Sequence, residues 1–324
     1  RYGTVDPLDA GNPHYGNGNL QVLGENRYQR RLQQTGVYLQ DLVELDQWRF
    51  SLGLRQDWVK VSEENRDSDS KVSDQRSKFT TRAGVLYLFE NGIAPYVSYS
   101  ESFNPNTVSD QDGRPLAPTE GTQWEAGIKY QPPGSDNLFT ASVFRIEQEN
   151  LASKQPNEDF YRPVGEVRSQ GLELEAHVQV TDNLKLLGGY TFTDIEYSKS
   201  MPSLVAGNLD NRGNSPTQAP KQMLSLWADY NFRQGPLDGL RLGGGVRYVG
   251  YSWVDAENSM KVPSYTLFDA SVGYDLGKVG LKGVDVRLNA NNLTNETYIT
   301  SCASLNYCYM GEERNVSATV SYQF

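Results

Sequence analysis

The stretch Asn315-Val-Ser-Ala-Thr-Val-Ser-Tyr-Gln-Phe324 alternates residue by residue between polar and apolar side chains. Successive side chains of a β-strand point to opposite faces, so this stretch predicts a strand with one apolar face and one polar face. Such a strand needs an apolar medium on one side and water or polar protein on the other. A strand of about ten residues that closes on an aromatic residue has the length and pattern of a strand that crosses a bilayer.

The same alternation recurs through most of the chain. It is clearest between positions 171 and 180, where an aliphatic row opposes Glu173, Glu175 and His177. A charged row opposite an aliphatic row is hard to house in a soluble core, whereas it suits a wall between a wet lumen and lipid. The pattern predicts an all-β fold, a transmembrane antiparallel β-barrel with about 13 strands present. The predicted strands are Thr35–Leu45, Trp48–Val61, Phe79–Phe89, Ala94–Phe103, Trp124–Tyr130, Asn137–Leu151, Gly171–Val180, Leu184–Tyr197, Leu224–Phe232, Leu240–Tyr248, Phe268–Leu276, Val286–Asn291 and Asn315–Phe324.

The connections between these strands alternate in length. Short turns such as Asp46 and Asn91-Gly92 alternate with long polar loops, and in outer-membrane barrels short turns are periplasmic and long loops extracellular. With Phe324 at the periplasmic end, residues 1–31 fall in an extracellular loop segment and residues 32–324 form the C-terminal portion of a barrel. Because an open sheet leaves unpaired edges in lipid and bacterial barrels have even strand numbers, we expect a longer chain, with a closed 13-stranded barrel as the alternative.

Composition excludes several classes of protein. Only 37% of the 324 residues are hydrophobic, and no run approaches the roughly 18 apolar residues of a spanning helix. The net charge of −10 repels nucleic acid, so no nucleic-acid partner is expected. The two cysteines, Cys302 and Cys308, and the two histidines are too few for a zinc site. A short disulfide-closed loop is favoured over free thiols.

Aromatic and acidic residues suggest where the membrane and the loops lie. Trp58, Trp124 and Trp253 fall near the outer ends of predicted strands and Trp48 near an inner end, as in an interfacial aromatic girdle. The alternative is that strands are simply rich in aromatic residues. The acidic stretch Glu63–Asp74 predicts a solvated loop, in which divalent ions could also bridge to lipopolysaccharide.

Several motifs resemble those of one receptor family. They are Tyr96–Phe103 followed by Asn104-Pro105, Leu116–Lys129, Arg168-Ser-Gln-Gly-Leu-Glu-Leu-Glu175, Gly189–Asp194, Pro220-Lys221 leading to Leu226-Trp227, and Asn289-Ala-Asn-Asn-Leu-Thr-Asn-Glu-Thr-Tyr298. In this order they resemble the C-terminal barrel of TonB-dependent ferric-siderophore receptors. The resemblance implies the last part of a barrel of about 22 strands, with an upstream plug domain and TonB box that this sequence does not contain.

The final hairpin narrows the resemblance. Cys302 to Cys308, followed by Tyr309-Met-Gly-Glu-Glu-Arg314, resembles the last extracellular loop of the hydroxamate branch, the receptors for ferrichrome and ferrioxamine. In that branch the loop carries a disulfide, and the aromatic residue after the second cysteine contacts ligand, which places this role on Tyr309. The resemblance also implies that the terminal Phe324 is the signal that the barrel-assembly machinery recognises.

Ligand capture is the role that the loop aromatics suggest. A hydroxamate complex of iron is already six-coordinate, so it needs apolar walls and hydrogen-bond donors rather than metal ligands, and tyrosine supplies both. The candidate ligand-binding residues are Tyr309, Tyr307, Tyr15, Trp253 and Tyr251. The alternative for each is that it anchors its loop or lies at the lipid interface.

The remaining polar motifs favour structural roles. Glu173 and Glu175, expected beside Arg168 and His177, predict a polar wall against a plug rather than an acid and base pair. No Ser/His/Asp arrangement supports a hydrolase. The glycine run Gly243 to Gly245 predicts a bend or the close approach of another backbone.

Together these features predict an outer-membrane receptor that imports a ferric hydroxamate siderophore and is not an enzyme. The resemblance implies energy from the TonB-ExbB-ExbD complex and contact with outer-membrane lipopolysaccharide. No cofactor is expected, because iron arrives as the siderophore complex. A receptor for a catecholate siderophore, haem or cobalamin and a passive porin are the alternatives, and the sequence does not name the siderophore.

Overall fold

A computed structural model describes residues 2–4, 21–24, 28–66, 70–153, 160–199, 211–305 and 307–324. Within these ranges the chain forms strands and two short 3₁₀ turns, Gly235–Leu237 and Leu276–Val279. The strands are β1 (Tyr2–Thr4), β2 (Gln21–Gly24), β3 (Tyr28–Leu45), β4 (Trp48–Asn65), β5 (Ser70–Tyr87), β6 (Ile93–Asn104), β7 (Thr119–Tyr130), β8 (Leu138–Ser153), β9 (Arg162–Gln179), β10 (Leu184–Lys199), β11 (Gln222–Asn231), β12 (Leu240–Val249), β13 (Ser252–Trp253), β14 (Lys261–Val262), β15 (Tyr265–Asp275), β16 (Val284–Asn291), β17 (Ile299–Ser304), β18 (Tyr307–Met310) and β19 (Asn315–Tyr322). None of the helical turns in the described ranges has the length and apolar character to span a bilayer.

Thirteen of these strands form one antiparallel sheet, in the order β19-β16-β15-β12-β11-β10-β9-β8-β7-β6-β5-β4-β3. Neighbours in the sheet follow one another along the chain, apart from the small hairpins β13–β14 and β17–β18, which lie in loops. The predicted number of strands and the antiparallel meander are confirmed. Connections of two to eight residues join the strands at one rim, called here the short-turn rim. At the opposite, long-loop rim the connections have eight residues or more, apart from the four residues between β4 and β5.

The two faces of the sheet keep their character across all of its strand pairs. Leu288 on β16 lies opposite Val272 on β15 and Ala318 on β19. Apolar residues also face each other in the middle of the sheet, where Leu174 lies opposite Ala141, and at its other edge, where Val43 lies opposite Phe50. We call this the apolar face and the opposite side the polar face. Because each strand presents the same parity to its neighbours, a single apolar surface results, as lipid requires.

Aromatic rings line the apolar face near the short-turn rim. Trp48 contacts Tyr87 with ring centroids 4.8 Å apart, and Tyr87 contacts Phe89 at 4.6 Å. Further ring pairs at this rim are Tyr130–Phe139, Tyr230–Phe232 and Tyr322–Phe324. The position of Trp48 at the inner end of its strand agrees with the predicted girdle.

The outer tryptophans differ from the prediction. Trp58 and Trp124 lie within β4 and β7, not at their ends, because both strands continue toward the long-loop rim. Beyond Trp124, the residues on the same side of β7 are Thr122 and Glu120. Trp124, which contacts Tyr99 with ring centroids 4.8 Å apart, therefore marks the upper limit of the apolar band rather than the end of a strand.

Several strands are longer than the alternation predicts. β3 begins at Tyr28, upstream of the predicted boundary at residue 32, and β1 pairs with β2 within the stretch 1–31. The stretch Glu63–Asp74 is not a continuous loop, because β4 runs to Asn65 and β5 starts at Ser70. Main-chain pairing continues past the bilayer into water, where neither face needs apolar side chains.

Aromatic rings cover glycines on the polar face. A Cβ atom at Gly243 would lie 2.6 Å from Cζ2 of Trp227, and one at Gly245 would collide with the same ring. Tyr96 covers Gly127 in the same way. The predicted close approach at the glycine run is thus made by a side-chain ring on the neighbouring strand and, at Gly245, also by the backbone carbonyl of Leu226.

Candidate functional site

The loop between β16 and β19 ends in a disulfide hairpin, residues 299–310. β17 pairs with β18 so that Cys302 lies opposite Cys308, and their sulfur atoms are bonded at 1.99 Å. This confirms the favoured pairing of the two cysteines. Cys302 is buried and Cys308 is exposed, so one side of the hairpin faces protein and the other faces solvent.

The buried side of the disulfide hairpin packs on the neighbouring loop. Val254 directly follows β13 and Val262 belongs to β14. Both form a small apolar cluster with Cys302, against which Ile299 also packs. Val262 is only 2% exposed and Cys302 only 1%. The two loops therefore share one core.

A third loop, between β10 and β11, is tied to the same assembly. The Ser215 amide donates to Oδ1 of Asn258 at 2.8 Å, and Nδ2 of Asn258 donates to the Ser215 carbonyl at 2.8 Å. Nδ2 of Asn214 donates to the carbonyl of Ala256 at 3.0 Å. We call these three interlocked loops, residues 211–221, 250–264 and 292–314, the loop platform.

The predicted ligand-binding aromatics fall into two pairs on the loop platform. The rings of Tyr307 and Tyr309 are perpendicular, with centroids 5.2 Å apart, and both side chains are largely exposed. Tyr251 and Trp253 meet at 84° with centroids 5.9 Å apart. Tyr15 lies outside the described residues. The platform thus holds four of the five candidates on two neighbouring loops, and their ligand contacts remain predictions.

One aromatic pair already holds a cation. Nζ of Lys261 lies 3.9 Å from the ring centroid of Tyr251 and 5.1 Å from that of Trp253. Aromatic rings attract an ammonium group at such distances. This pairing follows from the opposition of Trp253 and Lys261 in the β13–β14 hairpin, which the sequence alone did not indicate.

The root of the disulfide hairpin is organised by Asn292, which follows β16 and is 2% exposed. Its Nδ2 donates to the carbonyls of Glu296 at 2.8 Å and Glu312 at 3.1 Å, and its Oδ1 accepts from the Glu296 amide at 2.8 Å. The Asn292 amide donates to Oδ1 of Asp269 at 2.9 Å. Arg247 donates to the same carboxylate from Nε at 2.6 Å and from Nη2 at 3.0 Å.

Two tyrosines complete this root. Tyr265 and Tyr298 lie with ring centroids 4.2 Å apart, and the ring of Tyr298 covers Gly311. Tyr298 is the last residue of the Asn289 to Tyr298 motif. The resemblance of this motif to the receptor family identified the segment but did not assign a role to its residues. The structure supplies that role, because the motif ties the start of the loop to its end.

Elsewhere along the long-loop rim, the connection between β6 and β7 packs against β4. Oγ of Ser109 donates to Glu63 at 3.0 Å, and the amide of Tyr161 donates to the Ser109 carbonyl at 3.0 Å. Val59 and Val61, on the polar face of β4, are buried. A further loop therefore packs on the polar face near the long-loop rim.

The polar face below the rim carries the predicted acidic wall. Oη of Tyr96 donates to Glu125 at 2.5 Å, and Nε2 of Gln123 donates to the same carboxylate at 3.0 Å. Glu173 and Glu175 lie on the same face of β9. The prediction that Arg168 stands beside them is wrong, because Arg168 has the opposite parity, shares the face of Leu172, and pairs with Glu196 on β10. Within the described ranges, no group of three or more His, Cys, Asp or Glu side chains is placed to hold a metal ion.

The long-loop ends of β9 and β10 are joined by a pH-sensitive pair. Lys199 Nζ and Ser198 Oγ each donate to Glu166 at 2.6 Å. These bonds hold the pKa of Glu166 below its usual value, and the bond from Lys199 has the larger effect. A carboxylate with a lowered folded pKa stabilises the fold above its unfolded pKa and loses that effect as the pH falls through the folded value.

We therefore expect the ends of β9 and β10 to open more readily as the pH falls below about 4. The rate of pepsin cleavage in this segment, measured between about pH 2 and 5, should rise toward acid in the wild-type protein. In Glu166→Gln, the cleavage rate should already be high at the upper end of this pH range and should change less with pH. The exposed Glu313→Gln serves as the control and should follow the wild type, and an unchanged profile in Glu166→Gln would contradict the assignment.

Comparison with known proteins agrees with this architecture. The family model described as "TonB dependent receptor-like, beta-barrel" matches residues 1–293. The chain is 45% identical over 323 residues to the Ferrioxamine B receptor of Salmonella typhimurium, which corresponds to 100% of this chain and 45% of that protein. It is 41% identical over 302 residues to the Ferrichrome outer membrane transporter/phage receptor of Escherichia coli (strain K12), covering 93% of this chain and 39% of that protein.

A solved structure shows the same fold. The siderophore receptor PiuA from Acinetobacter baumannii superposes with a TM-score of 0.79 at 28% identity, covering 96% of this chain and 46% of that one. The chain spans less than half the length of the relatives it matches. The family model covers most of its residues, and the chain belongs to the TonB-dependent receptor-like β-barrel family.

Proposed function

We propose that this chain is the barrel portion of an outer-membrane receptor that binds a ferric hydroxamate siderophore and imports it with energy from TonB. The observation that carries the proposal is the identity of 45% to a ferrioxamine B receptor along the whole chain. It is supported by the second relative, whose name states ferrichrome, since both compounds chelate iron through hydroxamates.

The loop platform supports capture of such a cargo. The complex presents a coordinatively saturated metal, so recognition falls to aromatic walls and hydrogen-bond donors. Tyr307 and Tyr309 provide both kinds of group on an exposed hairpin that is covalently closed and packed on its neighbour. Iron is cargo here, and the chain itself needs no cofactor.

The proposed partners follow from the same architecture. In the assembled receptor a plug domain meets the acidic polar face around Glu125 and Glu173, and the TonB-ExbB-ExbD complex acts on that plug. Lipopolysaccharide surrounds the polar part of the outward surface above Trp124. The barrel-assembly machinery recognises the strand that leads to Phe324.

The transport experiment uses the full-length receptor in a bacterial strain that lacks its own hydroxamate receptors. Cells supplied with ferrioxamine B or ferrichrome as the sole iron source should grow only when the receptor and TonB are both present. Growth on a catecholate complex, haem or cobalamin, and not on a hydroxamate, would assign another ligand class. Ion conductance through the intact receptor without cargo would favour a porin.

Replacement of Tyr309 by alanine should weaken cargo binding by about tenfold, because an exposed aromatic anchor contributes both ring contact and a hydroxyl donor. Tyr309→Phe separates the two and should retain the ring contribution. Leu305→Ala, at the tip of the same hairpin, is the matched control. Quenching of receptor fluorescence on titration with the ferric complex measures the affinity, and equal affinities for Tyr309→Ala and the control would remove Tyr309 from the site.

A further inference from the structure

The loop that carries Tyr307 and Tyr309 is closed at three levels. At the tip, Cys302 is bonded to Cys308. In the middle, Tyr298 covers Gly311, and the Gly311 amide donates to the Tyr298 carbonyl at 2.8 Å. At the base, the amide group of Asn292 binds carbonyls from both ends of the loop, those of Glu296 and Glu312. The Arg314 amide also donates to Oδ1 of Asn295 at 2.8 Å, on the exposed side of the base. A long surface loop with its entry and exit tied together in this way has few conformations to lose on binding.

The base closure is also fixed to the sheet. Asp269 on the polar face of β15 accepts the Asn292 amide, and its other bonds come from the guanidinium of Arg247 on β12. Bidentate pairing of arginine with a carboxylate sets orientation as well as distance. The direction in which the loop leaves the barrel is thus set by β12 and β15. β15 also contacts the loop through Tyr265, whose ring packs on Tyr298, and through the Phe268 carbonyl, which accepts from the Leu293 amide at 2.7 Å.

We propose that Asn292, held by the Asp269–Arg247 pair, is the positioning residue that sets the disulfide hairpin over the cargo site. Its part in cargo capture rests on the proposed function, whereas its hold on the hairpin does not. Asn292 does not contact the cargo in this proposal. It acts by pre-organising Tyr307 and Tyr309, so that the ordering of the loop does not have to accompany binding.

The backbone of Asn292 decides which variant is informative. Its φ is +50°, a conformation that asparagine and glycine tolerate and alanine does not. Asn292→Gly therefore keeps the backbone and removes only the side-chain amide. Asn150 on β8 has a φ of +60°. The side chains that bind it in the described part of the chain, Asn106 and Thr119, both donate to its backbone carbonyl. Asn150→Gly is accordingly a matched control at the same rim.

The test measures the full-length receptor in three ways. Hydrogen exchange of amides 296–312 reports the hairpin, the melting temperature reports the barrel, and uptake of iron-59 as ferrioxamine B reports KM and the maximal rate. For Asn292→Gly we expect about tenfold faster exchange in the hairpin and a KM about tenfold higher. The maximal rate and the melting temperature should stay within error of Asn150→Gly, since the number of folded receptors does not change.

Two outcomes would overturn the proposal. Unchanged exchange in Asn292→Gly would show that the amide does not hold the hairpin, and a lower maximal rate at unchanged KM would show a folding role alone. If the wild-type receptor takes up no ferric hydroxamate, the proposed function fails, while the exchange experiment still decides whether Asn292 holds the hairpin.

Discussion

Replacement of Leu288 by arginine is expected to destabilise the folded receptor by about 2 to 4 kcal/mol, the cost of a cationic side chain facing the middle of a bilayer. Leu288 is 48% exposed on the apolar face of β16, between Val272 on β15 and Ala318 on β19. Neither neighbour offers a partner for a guanidinium. The side chain can reach water only by bending along the strand, which lipid-facing neighbours on both sides oppose.

The adjacent residue supplies the control. Asn289 projects to the polar face between Ser271 and Ser317, so Asn289→Arg places the same charge at the same depth on the wet side. Unfolding by guanidinium of the receptor refolded into phospholipid vesicles measures both variants. Equal destabilisation of Leu288→Arg and Asn289→Arg would contradict the assignment of the apolar face to lipid.

Replacement of Gly245 by alanine should destabilise the receptor by about 1 to 3 kcal/mol, the cost of overpacking at a fixed position. The new Cβ would collide with the ring of Trp227 and lie 2.8 Å from the Leu226 carbonyl. The ring cannot move freely, because Nε1 of Trp227 donates to Asp229 at 2.8 Å. The backbone carbonyl belongs to the paired strand β11 and is fixed by the sheet.

Gly244 provides the comparison on the same strand. A Cβ there points to the apolar face, where its nearest neighbour is the Asp269 carbonyl at 4.0 Å, so Gly244→Ala should be neutral or slightly stabilising. In a Trp227→Ala background, the cost of Gly245→Ala should fall, because only the carbonyl contact remains. The same guanidinium unfolding assay tests this coupling. A cost that is equal in both backgrounds would show that the ring is not the obstacle.

The sequence predicted the part of the fold that lipid constrains. Between Gly171 and Val180 every second side chain must be apolar, and the strand was located within a residue or two of its inner end. β3 and β5 begin at Tyr28 and Ser70, upstream of the predicted strands. No alternation marks these outer ends, so the prediction missed them. Arg168 has the parity of Leu172 and pairs with Glu196 on β10, so a charged side chain here does not mark the polar face.

The sequence predicted contacts in the candidate site only where the residue type alone identifies the partner, as for the two cysteines. Cys302 and Cys308 were the sole cysteines, so their bond could be anticipated. Asn292 is one of 4 asparagines in the quoted motif from Asn289 to Asn295, and nothing local distinguishes the one that is buried. Lys261 and Trp253 meet only because a hairpin brings them opposite each other. These contacts depend on loop geometry, which a strand pattern does not encode.

The aromatic rings that cover glycines have a consequence for errors during assembly. A strand that slips by one residue turns its charged row toward lipid, so the membrane itself rejects that error. A slip of two residues keeps both faces and passes this check. In one direction it would, however, place Trp227 opposite Arg247 instead of Gly245, and in either direction it would place Tyr96 opposite Glu125 or Lys129 instead of Gly127. Strand register in the barrel wall is thus set in two ways. The alternation of polar and apolar faces excludes slips of one residue, and the rings over glycines disfavour slips of two.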